Sequence, residues 1–265
     1  MVNIKKIFEI IGVFSLFIFS YIYTSKVASL FLETDDLMVS IIDYKEKNDS
    51  NCKEGYITDE GIILGISGLI VDKNKSYSNM KGSKFDENLV IYSKDKCKIN
   101  KENNLDKYIL KGNNSKRSIS LLININNYDE ELINFINSKD IDVSLVLDNF
   151  IDINDNLKNK IKKYSLLYSG VNENELKLLK EFNKNIFCIT INKDNLNMCM
   201  KNKINTIKTL KIFNKNLYNS VKSNVENGDI ILLTGSKEII KDFDVIVNFI
   251  NAKGLKIVSI FELLE

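Results

Sequence analysis

A chain of 265 residues is long enough for one large domain or two modest ones with a real core. Lys and Arg total 37 against 35 Asp and Glu, a net charge of +2; no broad basic field exists to release counterions from nucleic acid, so no nucleic-acid partner is expected. The chain contains no histidine, proline or tryptophan, which removes the imidazole on which most hydrolytic zinc sites and general acid–base pairs depend.

After Lys5 and Lys6, an apolar run extends from Ile7 to Tyr23, broken by Glu9, softened by Gly12, Ser15 and Ser20, and followed by Lys26. About 20 residues at roughly 1.5 Å rise cross the hydrocarbon core, so the run is at the short end for a transmembrane helix. It is apolar all round, which disfavours a buried soluble helix. Two lysines before the run and one after it favour a cytoplasmic N-terminus with the remainder outside the cell. The competing reading is a cleaved signal peptide with Val27-Ala28-Ser29 as its small-residue site. That site is poor and Tyr21 and Tyr23 suit an interface, so residues 1–25 read as a cytoplasmic tip and uncleaved signal anchor.

Residues 26–50 read as a stalk, with a short alternating segment from Leu37 to Tyr44 and the charged stretch KEKNDSN. Residues 51–115 read as a small β-rich module: short β-branched and aromatic runs are separated by Gly, Asn and Asp, with one helix over Lys73–Met80. Gly61, Gly65 and Gly68 fit turns between strands, since no Lys-Ser/Thr follows them as a phosphate-cradling loop requires. Cys52, Cys97, Cys188 and Cys199 would face an oxidising exterior. Cys52 and Cys97 share the small module and are able to pair, but the spacing sets no connectivity, and four unpaired small hydrophobes are an equally good reading. No metal-binding cysteine pattern is present, and no histidine exists to activate a thiolate.

From residue 116 to 265 strand-like and helical patterns alternate. SISLLINI, DVSLVLDN, SLLYSG, IFCITI, TIKTLKIF, DIILLTG and LKIVSIF read as strands, with amphipathic segments between them and Gly254 ending the last long helix. Seven strands with crossover helices imply an α/β fold: an irregular partial (β/α) barrel, not a full eightfold one.

This domain resembles the polysaccharide deacetylases, the NodB homology domain of carbohydrate esterase family 4. In that family the first strand ends in Thr-Phe-Asp-Asp-Gly, supplying a base and a metal ligand; here the stretch is Leu122-Ile123-Asn124-Ile125-Asn126, with Asn124 at the base position and Ile125 at the ligand position. The His-Ser/Thr-x-x-His motif aligns with SGVNE, placing Ser169 and Glu173 where two imidazoles would stand. The Arg-x-x-Pro-Tyr segment falls near FCITI, with Cys188 about where the arginine would be. Leu-Leu-His-Asp becomes Leu232-Leu233-Thr234-Gly235. The region before it, with Gly-x-x-Gly, Val-Asp, Lys-Ser-Tyr and Met, is similar to a segment upstream of deacetylase-like domains in some low-GC Gram-positive membrane proteins.

The resemblance implies a metal-assisted hydrolase of N-acetyl sugars, yet Asn, Ile, Ser and Glu do not reproduce an Asp-His-His ligand set and Thr234 does not titrate as a general acid. The expectation is therefore a membrane-anchored pseudoenzyme with no cofactor or metal and no catalytic residues. Asn124, Ile125, Ser169, Glu173 and Thr234 would mark a degenerate groove that binds peptidoglycan, another glycan or an envelope protein. The alternative is a divergent deacetylase or esterase with a rebuilt site. Asp148, Asp152 and Asp155 follow the second strand where such a site would gather, although their DNFIDINDN context is ordinary loop and helix-cap composition. An open cleft floored by Asn124, Ser169 and Thr234 would favour sugar binding, whereas filling by Tyr168 would weaken it.

Overall fold

The structure, a computed structural model, describes residues 4–191 and 193–265, and among these the side chains of 4–10, 25 and 28–31 are left aside. In chain order the first elements are α1 (Ile4–Glu33), α2 (Asp36–Asn48), β1 (Tyr56–Ile57), β2 (Ile62–Ile63), β3 (Gly68–Val71), α3 (Lys73–Met80), β4 (Tyr92–Asp95) and β5 (Tyr108–Lys111). The α/β alternation then begins with β6 (Ser118–Ile125), α4 (Glu130–Asn137), β7 (Ser144–Leu147), α5 (Asp155–Ile161), β8 (Ser165–Tyr168), α6 (Glu173–Phe182), β9 (Ile186–Ile189) and α7 (Leu196–Lys201). It closes with β10 (Thr206–Ile207), β11 (Lys211–Phe213), α8 (Leu217–Asn224), β12 (Ile230–Leu233), α9 (Ser236–Ala252), β13 (Lys256–Ile257) and α10 (Ile260–Leu263). Two compact units divide the chain: Met1–Asn51 with Gly68–Asp95, and Cys52–Ser67 with Lys96–Glu265.

In the smaller unit, most of residues 26–50, expected as a stalk, is helical: α1 runs on to Glu33 and α2 covers Asp36–Asn48. Asp35 caps α2, its carboxylate accepting from Leu37 N at 3.0 Å and from Met38 N at 3.4 Å. Asp36 in the first turn and Lys45 and Lys47 in the last complement the helix dipole. Leu37, Ile41 and Tyr44 then share one face, and with Val71, Met80, Tyr77, Phe85 and Val90 they form a small core. α3 occupies the expected Lys73–Met80, capped by Asp72, and β3 and β4 pair antiparallel.

α1 is continuous for 30 residues, well past Lys26; its apolar side chains from Ile11 to Tyr23, among them Phe14, Leu16, Phe17, Phe19 and Tyr21, are exposed, whereas Val27 and Leu32 are half-buried. Among the described residues no helix is long and apolar enough to cross a membrane. The expected transmembrane helix thus draws no support from the structure. The side chains of Lys5, Lys6 and Glu9, and of Ala28 and Ser29 in the small-residue site, lie outside the described residues.

The larger unit holds one sheet in the order β1-β2-β5-β10-β9-β8-β7-β6-β12-β11, with β13 added on β6. Apart from the antiparallel pair β1–β2, every pairing is parallel. β1, β2 and β5 therefore belong to this sheet and not to a separate β-rich module over 51–115. Their apolar runs are too short to cover themselves, and Ile62 and Ile109 are buried only by joining the core beside Leu122, Val146, Leu167 and Ile207. Because a strand's side chains alternate between faces, β6 sends Ile119, Leu121, Ile123 and Ile125 into the other core, under the helices. Burial on both faces explains why these strands read as nearly unbroken apolar runs.

TIKTLKIF, expected as one strand, is two. β10 pairs with β9 and β5, whereas β11 pairs with β12 on the far side of β6. Residues 208–210 link them, held by Lys208 N on Ile109 O at 2.9 Å and by the Thr209 hydroxyl on Ile230 O at 2.5 Å. Neighbours in sequence thus lie far apart in the strand order, which only a curled sheet permits, and the partial (β/α) barrel follows. Two disulfides, Cys52–Cys97 and Cys188–Cys199, use all four cysteines.

Candidate functional site

The register of the parallel strands sets Asn124 beside Val146, Leu147 beside Tyr168 and Leu233 beside Ile123, so β6, β7, β8 and β12 end along one edge. Their C-terminal ends, where open and barrel α/β folds gather ligands, frame a groove of about 680 Å³. Asn124, Asp148, Ser169, Asn172, Asn214 and Thr234 supply its polar lining with Lys193, Tyr168 and Glu175; Val171, Ile191 and Ile212 supply the apolar part.

Three of the five positions expected at a degenerate site, Asn124, Ser169 and Thr234, line this groove. Ile125 does not: strand alternation turns it to the opposite face, where it is 1% exposed within the helix-covered core. Glu173 does not line it either. It opens α6, exposed, and pairs with Lys177 at 2.8 Å, and that ammonium holds its carboxyl below the usual carboxylate range. Of the acidic trio, Asp148 lines the groove, Asp152 accepts from the Asn149 amide, and Asp155 starts α5 beside Lys158.

The hydroxyls on the groove are already engaged with main chain. Ser169 donates to Leu147 O at 3.2 Å and Thr234 to Phe213 O at 3.4 Å, leaving their lone pairs free to accept. The Asn124 side-chain oxygen is buried with no protein partner, an orphan of the kind that a bound ligand or water satisfies.

Two residues that sequence reasoning missed shape the groove from beneath. Glu175, 5% exposed, accepts from Phe150 N, from Ile151 N at 2.9 Å and from the Tyr168 phenol at 2.7 Å. It thereby ties the loop after β7 to the end of β8. Burial, then the Glu175 carboxylate, pushes the Tyr168 phenol up, so it stays protonated and donates. Tyr168 is fully buried, its hydroxyl also accepting from Asn172 N at 3.2 Å; it underlies the groove without filling it. Asn195, 2% exposed, donates to Tyr168 O, Gly170 O and Ile189 O at 3.2 to 3.3 Å and accepts from the Thr190 hydroxyl at 3.0 Å. The one available sequence signal was Asn172-x-x-Glu175, which has capping-box spacing; Asn172 does cap α6, but the glutamate reaches Phe150 and Ile151 instead of its own cap.

The metal implied by the resemblance does not fit these residues. The chain has no histidine, Ile125 faces the core, Glu173 is held by Lys177, and the Glu175 carboxylate already has three donors. One amide oxygen and the exposed Asp148 do not make a first-row metal site. Among the described residues the only clustered metal-ligating side chains are Cys52, Glu54 and Cys97, and those two sulfurs are bonded to each other.

No protein-family model matches the chain, and no curated protein sequence matches it. Among solved structures it is similar to a carbohydrate esterase family 4 pseudoenzyme from Bacillus anthracis, with 17% identity, a TM-score of 0.60, and coverage of 88% of this chain and 96% of the other. A mutant of that pseudoenzyme with restored enzymatic activity matches at 16% identity and a TM-score of 0.57, covering 87% and 98%. At these identities the likeness is one of fold. It covers more of the chain than residues 116–265 alone account for, so it takes in part of what precedes them. The chain thus carries the fold of the carbohydrate esterase family 4 proteins.

Proposed function

We propose that the protein is a non-hydrolytic, deacetylase-fold protein of the cell envelope whose groove binds a cell-wall glycan such as peptidoglycan. The observation that carries this reading is the open groove at the strand ends: its amides and hydroxyls suit neutral sugar hydroxyl and acetamido groups, its floor is braced from below, and the hydrolytic residues are gone. The apolar stretch of α1, exposed from Ile11 to Tyr23, suits attachment to a membrane surface although no described helix is long and apolar enough to cross one, and two disulfides support a location outside the cytoplasm. One observation favours a second reading, in which the groove face meets an envelope protein: Tyr128, Ile151 and Val171, on three loops that follow sheet strands, are exposed apolar side chains.

The test is retention of the detergent-solubilised full chain by purified sacculi, with chitooligosaccharides as competitors and acetyl release measured in parallel. Retention that soluble sugar displaces, without acetyl release, is the expected result. Chelator-sensitive acetyl release would replace this reading with that of a divergent deacetylase. Failure to pellet, together with a stoichiometric membrane partner in pull-downs, would replace it with the protein-binding one.

A further inference from the structure

The groove wall contributed by the segment after β9 is built differently from the rest. After Thr190, whose N–H still donates to Ile207 O at 2.8 Å, the described residues of the segment up to Asn195 leave the sheet, and Ile191 and Lys193 join the groove lining. The segment lies wholly inside the ring closed by Cys188 and Cys199, eleven positions apart in sequence. Both sulfurs are buried, Cys188 at the end of β9 and Cys199 in α7. Within that ring, Asn195 reaches the carbonyls of Tyr168, Gly170 and Ile189. Asp194 accepts from Leu196 N at 2.9 Å, and the Tyr108 phenol of β5 helps hold its carboxyl below the ordinary carboxylate range. The Asn195 contacts also pin the turn after Tyr168, where Gly170, Val171 and Asn172 form the next stretch of wall.

We propose that the Cys188–Cys199 disulfide and Asn195 are positioning elements that preorganise one wall of the groove, so that the groove takes ligand only in the disulfide-bonded chain. The physical reason is a shortage of other anchors. Among the described residues no strand is formed between Ile189 and Thr206, the last sheet bond being Thr190 N to Ile207 O at 2.8 Å, and α7 is a six-residue helix, too short to be stable without tertiary support. With the ring open, α7 loses its covalent tie to β9, Asn195 loses its register on three carbonyls, and Ile191 and Lys193 lose a fixed place. A ligand would then have to order the wall as it binds, which lowers affinity. Cys52–Cys97 is different: it bonds two segments of the β1 to β5 region, and neither cysteine lines the groove.

The inference rests on the groove reading above but is tested separately, by hydrogen exchange on the full chain without ligand. In a Cys188→Ala/Cys199→Ala variant, amides of Ile189 to Lys201 are expected to exchange at least tenfold faster while those of β6, β7 and β12 keep their protection. A Cys52→Ala/Cys97→Ala variant is expected to leave both sets unchanged. Asn195→Ala, with the disulfide intact, serves if the double variant does not fold, and is expected to loosen the same segment to a smaller degree. Unchanged exchange over Ile189 to Lys201, or an equal rise across the whole sheet, would overturn the proposal. Sacculus retention then reads the consequence, an expected drop of tenfold or more for the Cys188/Cys199 variant alone. If the native chain is not retained at all, the glycan reading falls, while the exchange data still decide whether the wall is positioned this way.

Discussion

Strand bodies and strand ends of the same sheet follow different rules. All four residues of β7, Ser144–Leu147, are buried, yet Asp148 just beyond them is exposed and lines the groove. On β6 the change occurs between neighbours: Asn124 belongs to the groove and Ile125 to the core. The bodies are apolar because both faces are covered, so their composition is dictated by packing. The ends are free of that demand, and it is there that the polar groove-lining side chains stand.

The sharpest way to break this contrast is to place a charge on the core-facing member of the β6 pair. Ile125→Asp buries a carboxylate without a partner and is expected to destabilise by about 4 kcal/mol or more, seen as a large loss in the denaturant midpoint. A mild effect there would mean that Ile125 reaches the groove after all. Next in size is Glu175→Ala, which strips partners from Phe150 N, Ile151 N and Tyr168 Oη; about 3 kcal/mol is expected. Gly170→Ala should cost about 1–3 kcal/mol, because a Cβ there would meet the Tyr168 hydroxyl and the Asp148 carbonyl, and backbone does not yield easily. Asn124→Ala removes an orphaned polar atom, so stability should change by less than about 0.5 kcal/mol while sacculus retention falls.

The smallest effect concerns acid. Leu196 N, then the Tyr108 phenol, hold the Asp194 carboxyl below the ordinary carboxylate range. A depressed folded-state value adds stability above the unfolded value of about 3.9, and that stability disappears as pH falls through the folded-state value. Protection of the segment around Asn195 should therefore be level above about pH 5 and decline below about pH 4. Asp194→Asn should flatten that decline, as hydrogen exchange corrected for intrinsic rates would report.

What sequence reasoning recovered divides along the same line. Strands such as β6, β7 and β12 and helices such as α6 and α9 were legible because periodicity and apolar runs are local properties. Asn124, Ser169 and Thr234 were legible as groove positions because they follow those strands directly. Three features were not. Leu37 to Tyr44 alternates, but the Asp35 cap selects a helix, and a cap outweighs a short alternation. TIKTLKIF shows no break in pattern, because nothing local marks residues that cross from one side of a curled sheet to the other. Glu175 and Asn195 look like surface residues of helical segments; their burial depends on Phe150, Ile151, Tyr168 and Gly170, some 25 residues earlier, and composition carries no trace of such partners.

The link between β10 and β11 bears on how the larger unit comes apart. β11 is only three residues long and ends the strand order, normally the weak margin from which a sheet unravels. Here three residues tether it to β10, which sits between β9 and β5. Peeling that margin therefore tugs on a strand in the interior of the array, and detachment spreads instead of stopping at the rim. The sheet should melt as one body, with probes on β11 and on β5 reporting a single shared transition.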